Sequence, residues 1–123
     1  MLEKIIESDF GRFTFLDEHA VVATANSGVN IDAEKVQQAV DIIERELPGD
    51  YVIILDRKVD YSVMPLEVYK YFASVDRLKA LAIVSYRDRE FLPNNMERRI
   101  YAGRTEKFSC INDAHDWVKK LFE

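Results

Sequence analysis

A single cysteine, Cys110, leaves this 123-residue chain without an internal disulfide framework, which suits a reducing compartment. The four glycines, Gly11, Gly28, Gly49 and Gly103, stand far apart, and that argues against a glycine-rich loop cradling phosphate. Only two histidines are present, His19 and His115, and they offer no metal-ligand spacing. No apolar run approaches the roughly 18 residues that a membrane helix needs. The stretch from Met1 to Glu7 carries no apolar signal region and no small-residue cleavage site. Repeats, low-complexity runs and linkers are missing too. These absences lead us to expect a cytoplasmic protein that does not insert into a membrane.

What is present is a core. A hydrophobic share of 48% with 11% aromatics places the chain among folded globular proteins, and its length fits one domain spanning residues 1–123. The net charge of −5 is unevenly spread. Residues 1–56 carry 4 Lys and Arg against 12 Asp and Glu, and residues 57–123 carry 13 against 10. An acidic half beside a mildly basic half bears on encounter with partners. A sequence pI near 5.1 argues against nucleic acid, whose phosphates call for a concentrated basic face.

The centre of the pattern is Tyr51-Val52-Ile53-Ile54-Leu55-Asp56. Four aliphatics in succession, without alternation, predict a strand covered on both faces. Ala80-Leu81-Ala82-Ile83-Val84 predicts a second. Upstream, Leu2 to Ser8, Arg12 to Leu16 and His19 to Ala25 read as strands joined by turns at Asp9-Phe10-Gly11 and Asp17-Glu18, with Phe13 and Phe15 sharing one face. Asp32 is placed to cap a helix whose inward residues are Val36, Ala39, Val40, Ile43 and Leu47, stopped by Pro48-Gly49. A helix is expected from Pro65 to Val75 and another from Phe91 to Tyr101, ended by Gly103. Lys107 to Ile111 reads as a last strand, with Asn112 capping a final helix that turns Ala114, Trp117, Val118 and Leu121 inward. Strands joined by helical crossovers pair in parallel. The chain therefore predicts an α/β fold, a mixed sheet with antiparallel amino-terminal strands followed by βα units, helices covering the sheet.

Three stretches support a family comparison: VIILDRKVDYS from Val52, ALAIVS from Ala80 and FSCINDAHDWVKKLF from Phe108. Their succession resembles the STAS-like (SpoIIAA-like) fold of bacterial anti-sigma-factor antagonists and sulfate-transporter domains. It is most similar to small bacterial STAS/SEC14-like proteins, over roughly Ala23 to Phe122. The resemblance implies a non-enzymatic regulatory module and a regulatory serine near the helix that follows the central strand. In antagonists that serine belongs to a Ser-Ser or Ser-Thr pair followed by glycine; here the loop Asp60-Tyr61-Ser62-Val63-Met64-Pro65 holds one serine and no glycine.

Ser62 is thus the candidate phosphoacceptor, favoured electrostatically at a helix start, with simple capping as the plainer role. Asp56, at the carboxyl end of the central strand, sits where open α/β sheets place ligands, and Asp60 follows; capping the loop is the plainer role for both. Cys110 and His115 could form a nucleophile and base, but the helical pattern turns His115 to solvent, and a buried structural cysteine is the simpler reading. Arg87, Arg89, Arg98, Arg99 and Arg104 suggest an anion or partner surface, although interleaved acids favour a solvated, self-paired face. Tyr61, Met64 and Tyr69 form an aromatic-rich patch beside Phe72 that suits an interface or an apolar cleft.

No nucleophile–base pair, metal set or cofactor fingerprint stands out. The sequence-level expectation is a protein-binding or regulatory module that needs no cofactor. It would associate with a protein partner or with itself as a homodimer, through Tyr61, Ser62, Met64 and Tyr69, extended by Arg98 and Arg99. The alternative is a protein that binds a small apolar or anionic ligand.

Overall fold

Among the described residues, alternation, runs and caps resolve into nine elements. In chain order they are β1 (Lys4–Glu7), β2 (Gly11–Asp17), β3 (Ala20–Ala25), α1 (Ala33–Glu46), β4 (Tyr51–Arg57), α2 (Leu66–Ala73), β5 (Leu78–Ser85), β6 (Arg104–Phe108) and α3 (Ile111–Leu121). The computed structural model describes residues 4–26, 32–57, 66–85 and 104–123, with backbone alone for 57, 66–69, 85, 104 and 105. The helix expected from Phe91 to Tyr101 lies outside the described residues.

The strands form one six-stranded sheet whose spatial order follows the sequence, β1-β2-β3-β4-β5-β6. β1, β2 and β3 pair antiparallel, and β3, β4, β5 and β6 pair in parallel. This is the mixed sheet that the sequence predicts. Every residue from Tyr51 to Asp56 in β4 is buried, which explains why the strand needs no polar face. Its side chains alternate between two cores. Tyr51, Ile53 and Leu55 join Phe13, Phe15, Val21, Leu81 and Ile83 under α1 and α2, while Val52 and Ile54 face α3 with Val22, Val84, Ala114 and Val118. The α3 side is thin, with Ala20, Ala80, Ala82 and Ala114 all fully buried there, so the helix lies close to the strands. Among the described residues, no helix is long and apolar enough to cross a membrane.

α1 begins as the sequence predicts. The Asp32 carboxylate accepts the Lys35 N–H at 2.9 Å through Oδ1, satisfying a donor that the first turn would leave orphaned. Val36, Val40 and Ile43 are buried and Ala39 is half-buried. The far end of the helix is held by Arg77, in the turn before β5. Its guanidinium donates to the Gly49 carbonyl from Nε at 3.0 Å and Nη2 at 2.9 Å, to Glu44 O from Nη1 at 3.4 Å, and to Leu47 O. The Tyr51 hydroxyl donates to Glu44 Oε2 at 2.8 Å. Burial raises the pKa of that hydroxyl far above the ordinary phenol value, and the hydrogen bond to Glu44 adds to the effect.

α3 starts earlier than expected. The cap position belongs to Cys110, at φ −150° and ψ 160°, with no side-chain cap hydrogen bond, and Asn112 lies exposed in the first turn. β6 correspondingly ends at Phe108, not Ile111. Starting at Ile111 adds that side chain to the apolar stripe of Ala114, Trp117, Val118 and Leu121. Half-burying it is comparable in size to a polar cap, since an aliphatic gains about 1.5–3 kcal/mol when fully buried and a cap contributes about 1 kcal/mol. A vacant cap can be filled. Cys110→Ser is expected to raise unfolding free energy by about 0.5–1 kcal/mol, whereas Asn112→Ala should change it by less than about 0.5 kcal/mol; urea titration reads both.

Candidate functional site

A largely apolar cleft lies between the amino-terminal half of α1 and the strands β2, β3 and β4. It opens at the carboxyl ends of β3 and β4, the edge of a parallel sheet where ligands commonly bind. Phe13, Ile53, Leu55 and Phe72 form its floor, Val36, Ala39 and Val40 its roof, and Phe10 and Lys35 its mouth. The gap follows from side-chain size. Gly11 has no side chain, and Ala23, Ala25 and Ala39 are too short to fill the space between helix and sheet. The cavity measures about 70 Å³. A single water needs roughly 10–15 Å³ by this measure, so several carbon atoms fit and a lipid chain does not.

The mouth is built from a tightly bonded turn. Ser8 Oγ donates to Gly11 O at 3.1 Å and accepts the Gly11 N–H at 3.2 Å. Asn26, at the end of β3, donates from its backbone N–H to Phe10 O at 2.9 Å and from Nδ2 to Asp9 O at 3.2 Å. Phe10 then rests edge-on against Phe13, centroids 6.2 Å apart. A Cβ on Gly11 would stand 2.6 Å from Thr24 O, a backbone atom held in the ladder between β2 and β3. Gly11→Ala is therefore expected to cost about 2 kcal/mol by forcing the two strands apart, with the largest amide shifts at Thr24 and Ala25 in a nitrogen–proton correlation spectrum.

The opposite edge of the sheet carries the histidines. Asp17, where β2 ends beside an irregularity in its pairing with β3, accepts the His19 N–H at 2.7 Å through Oδ1. Its other oxygen, Oδ2, lies 2.6 Å from His115 Nε2 on α3. The His19 ring stacks on Phe122, 4.1 Å between centroids and 5° from parallel, and its Nδ1 lies 2.9 Å from Asp50 O. Burial pushes the Asp17 carboxyl up, but the hydrogen bonds from His115 and from the His19 backbone outweigh it and leave it below the ordinary carboxylate value. His115 is thus half-buried and bound, contrary to the solvent-facing orientation that the helical pattern predicts. The hairpin between β2 and β3 reaches across to α3, a contact between residues 98 apart in sequence. The histidine that Cys110 would need as a base has its Nε2 engaged by Asp17, and Cys110 is half-exposed, not buried.

Of the residues singled out in the sequence, Tyr61, Ser62, Met64, Arg98 and Arg99 lie outside the described residues, as do Asp60, Arg87 and Arg89. Tyr69 is described only by its backbone within α2, and Arg104 only by its backbone within β6. Asp56 is 2% exposed at the end of β4, on the α3 side by strand alternation. Among the described residues no three His, Cys, Asp or Glu side chains form a metal-holding group. No family model, curated protein or solved structure matches the chain.

Proposed function

We propose that this chain is a non-enzymatic STAS-like binding module that takes up a small molecule through an apolar portion lodged in the cleft under α1. The observation that carries this reading is the cleft itself, an apolar cavity at the carboxyl edge of a parallel sheet with its mouth fixed by the Ser8 and Asn26 hydrogen bonds. Such sites characteristically combine an apolar lining with a few polar groups at the rim. The sequential sheet, antiparallel at first and parallel afterwards, supports the STAS-like part of the proposal.

Association with a second copy has weaker support. The one large apolar side chain exposed among the described residues is Ile5, at 58%, and it sits on an edge strand of four residues between Lys4 and Glu7. Short length and flanking charge are features that blunt edge pairing.

Titrating isotope-labelled protein with 1-hexanol tests the cleft. Amide shifts should concentrate at Gly11, Thr24, Val36 and Leu55, and Ala39→Met, which fills the roof, should suppress them while the rest of the spectrum keeps its native dispersion. Shifts scattered over the surface, or unchanged by that substitution, would refute the reading.

A further inference from the structure

The size of the cleft limits what can enter. Its cavity measures about 70 Å³, room for roughly five to seven waters. At about 30 Å³ of liquid volume per water, that is space for roughly 150–200 Å³ of matter. An apolar cavity of about 150 Å³ lined by Leu, Ile and Phe holds benzene. The cleft is therefore sized for one six-membered ring with a short substituent.

The chemistry of the lining narrows the choice further. Among the described residues, Lys35 and Thr24 are the polar members of the lining. Lys35 stands at the mouth, its Nζ 3.2 Å from Asp32 Oδ2. Thr24 follows Ala23, which packs into the core under α1, so strand alternation turns the threonine hydroxyl to the other face of the sheet. A polar group carried inside would meet no side-chain partner from these residues, and burying it unpaired is costly.

Three phenyl rings, Phe10, Phe13 and Phe72, stand around this space. Phe10 and Phe13 already meet edge to face, with centroids 6.2 Å apart and planes at 77°. Aromatic rings have negative faces and positive edges, so a further ring can offer its edge to one neighbour and its face to another. A saturated ring of the same size fills the volume without that electrostatic gain.

We propose that the apolar portion which enters the cleft is a single aromatic ring, a phenyl group, surrounded by Phe10, Phe13 and Phe72. This deepens the reading of the cleft as the binding site and rests on it. The cavity sets the size of the guest, and the three rings select its aromatic character.

Toluene and methylcyclohexane share one carbon skeleton and separate the two claims. Each is titrated into isotope-labelled protein, with the amides of Gly11, Val36 and Leu55 as reporters. Each affinity is divided by that compound's partition from water into hexadecane, which removes the difference in hydrophobicity. Toluene is then expected to bind about 2- to 10-fold more tightly than methylcyclohexane. Phe10→Leu, at the half-buried mouth, should shrink this advantage while methylcyclohexane binds as before and the spectrum keeps its native dispersion. Equal corrected affinities, or an advantage that Phe10→Leu leaves intact, would overturn the aromatic ring and leave the cleft standing. Binding of 1-hexanol alone would do the same. Failure of all three compounds to move those amides would overturn both.

Discussion

Arg77→Ala is expected to lower the unfolding free energy by about 4 kcal/mol, seen as a lower urea midpoint at unchanged slope. The last carbonyls of any helix lack intrahelical partners. In α1 they fall in a part-buried turn, where Leu47 is buried and Glu44 and Gly49 are half-buried. The Arg77 guanidinium reaches the carbonyls of Glu44, Leu47 and Gly49 together. It also lies 3.7 Å from a Glu44 carboxylate oxygen and 5.7 Å from the centre of the Tyr51 ring. A hydrogen bond from a charged donor contributes about 1.5–3 kcal/mol net. The side chain is 31% exposed and its bonds are coupled, so their sum is well below the simple total. Arg77→Lys should recover less than half of the loss, because a single ammonium cannot span three carbonyls in the way a planar fork does. A cost below about 1 kcal/mol for Arg77→Ala would mean that the turn is held by Tyr51 and Glu44 instead. Tyr51→Phe, expected to cost about 1 kcal/mol, measures that share directly.

Arg77 also marks the limit of what a sequence discloses. In the sequence it is one charged residue in a short turn, with nothing local to link it to Gly49, 28 positions earlier. The elements themselves were legible because each announces its own environment. An unbroken aliphatic run means a strand covered twice, as in β4; Phe13 and Phe15 at period two mean a strand with one buried face; Asp32 before a 3.6-residue apolar stripe means a helix start. All three depend only on neighbours within a turn or two. The cleft depends instead on a mismatch between elements: Gly11, Ala23, Ala25 and Ala39 lie on three segments, and only their convergence leaves a cavity. Its one local signal was a run of small residues at the end of β3, opposite a glycine at the start of β2. The position of Cys110 at the start of α3 shows a different limit. Local preference favoured Asn112 as the cap, while the observed start at Ile111 packs that half-buried side chain against the α3 side of the core.

The second large effect comes from the other edge of the sheet. Asp17→Ala is expected to cost about 3 kcal/mol at neutral pH, since it removes an acceptor from both the His115 ring and the His19 N–H. His115→Ala removes one of these contacts and should cost about 2 kcal/mol, with a coupling between the two sites of about 1.5 kcal/mol in a double-mutant cycle. The sign of the pH dependence follows from the carboxyl. Its folded pKa lies below the unfolded value, so the stabilisation is fully present above the ordinary carboxyl range and is lost as pH falls through the folded pKa. A protonated Asp17 resembles asparagine in charge. The gap in unfolding free energy between the unaltered protein and Asp17→Asn should therefore be constant from pH 7 to 5 and close below about pH 4. A gap that persists unchanged at pH 3 would show that the joint between hairpin and α3 depends on shape and neutral hydrogen bonding. A gap that closes would establish an ionised carboxylate as what fastens α3 to the hairpin between β2 and β3.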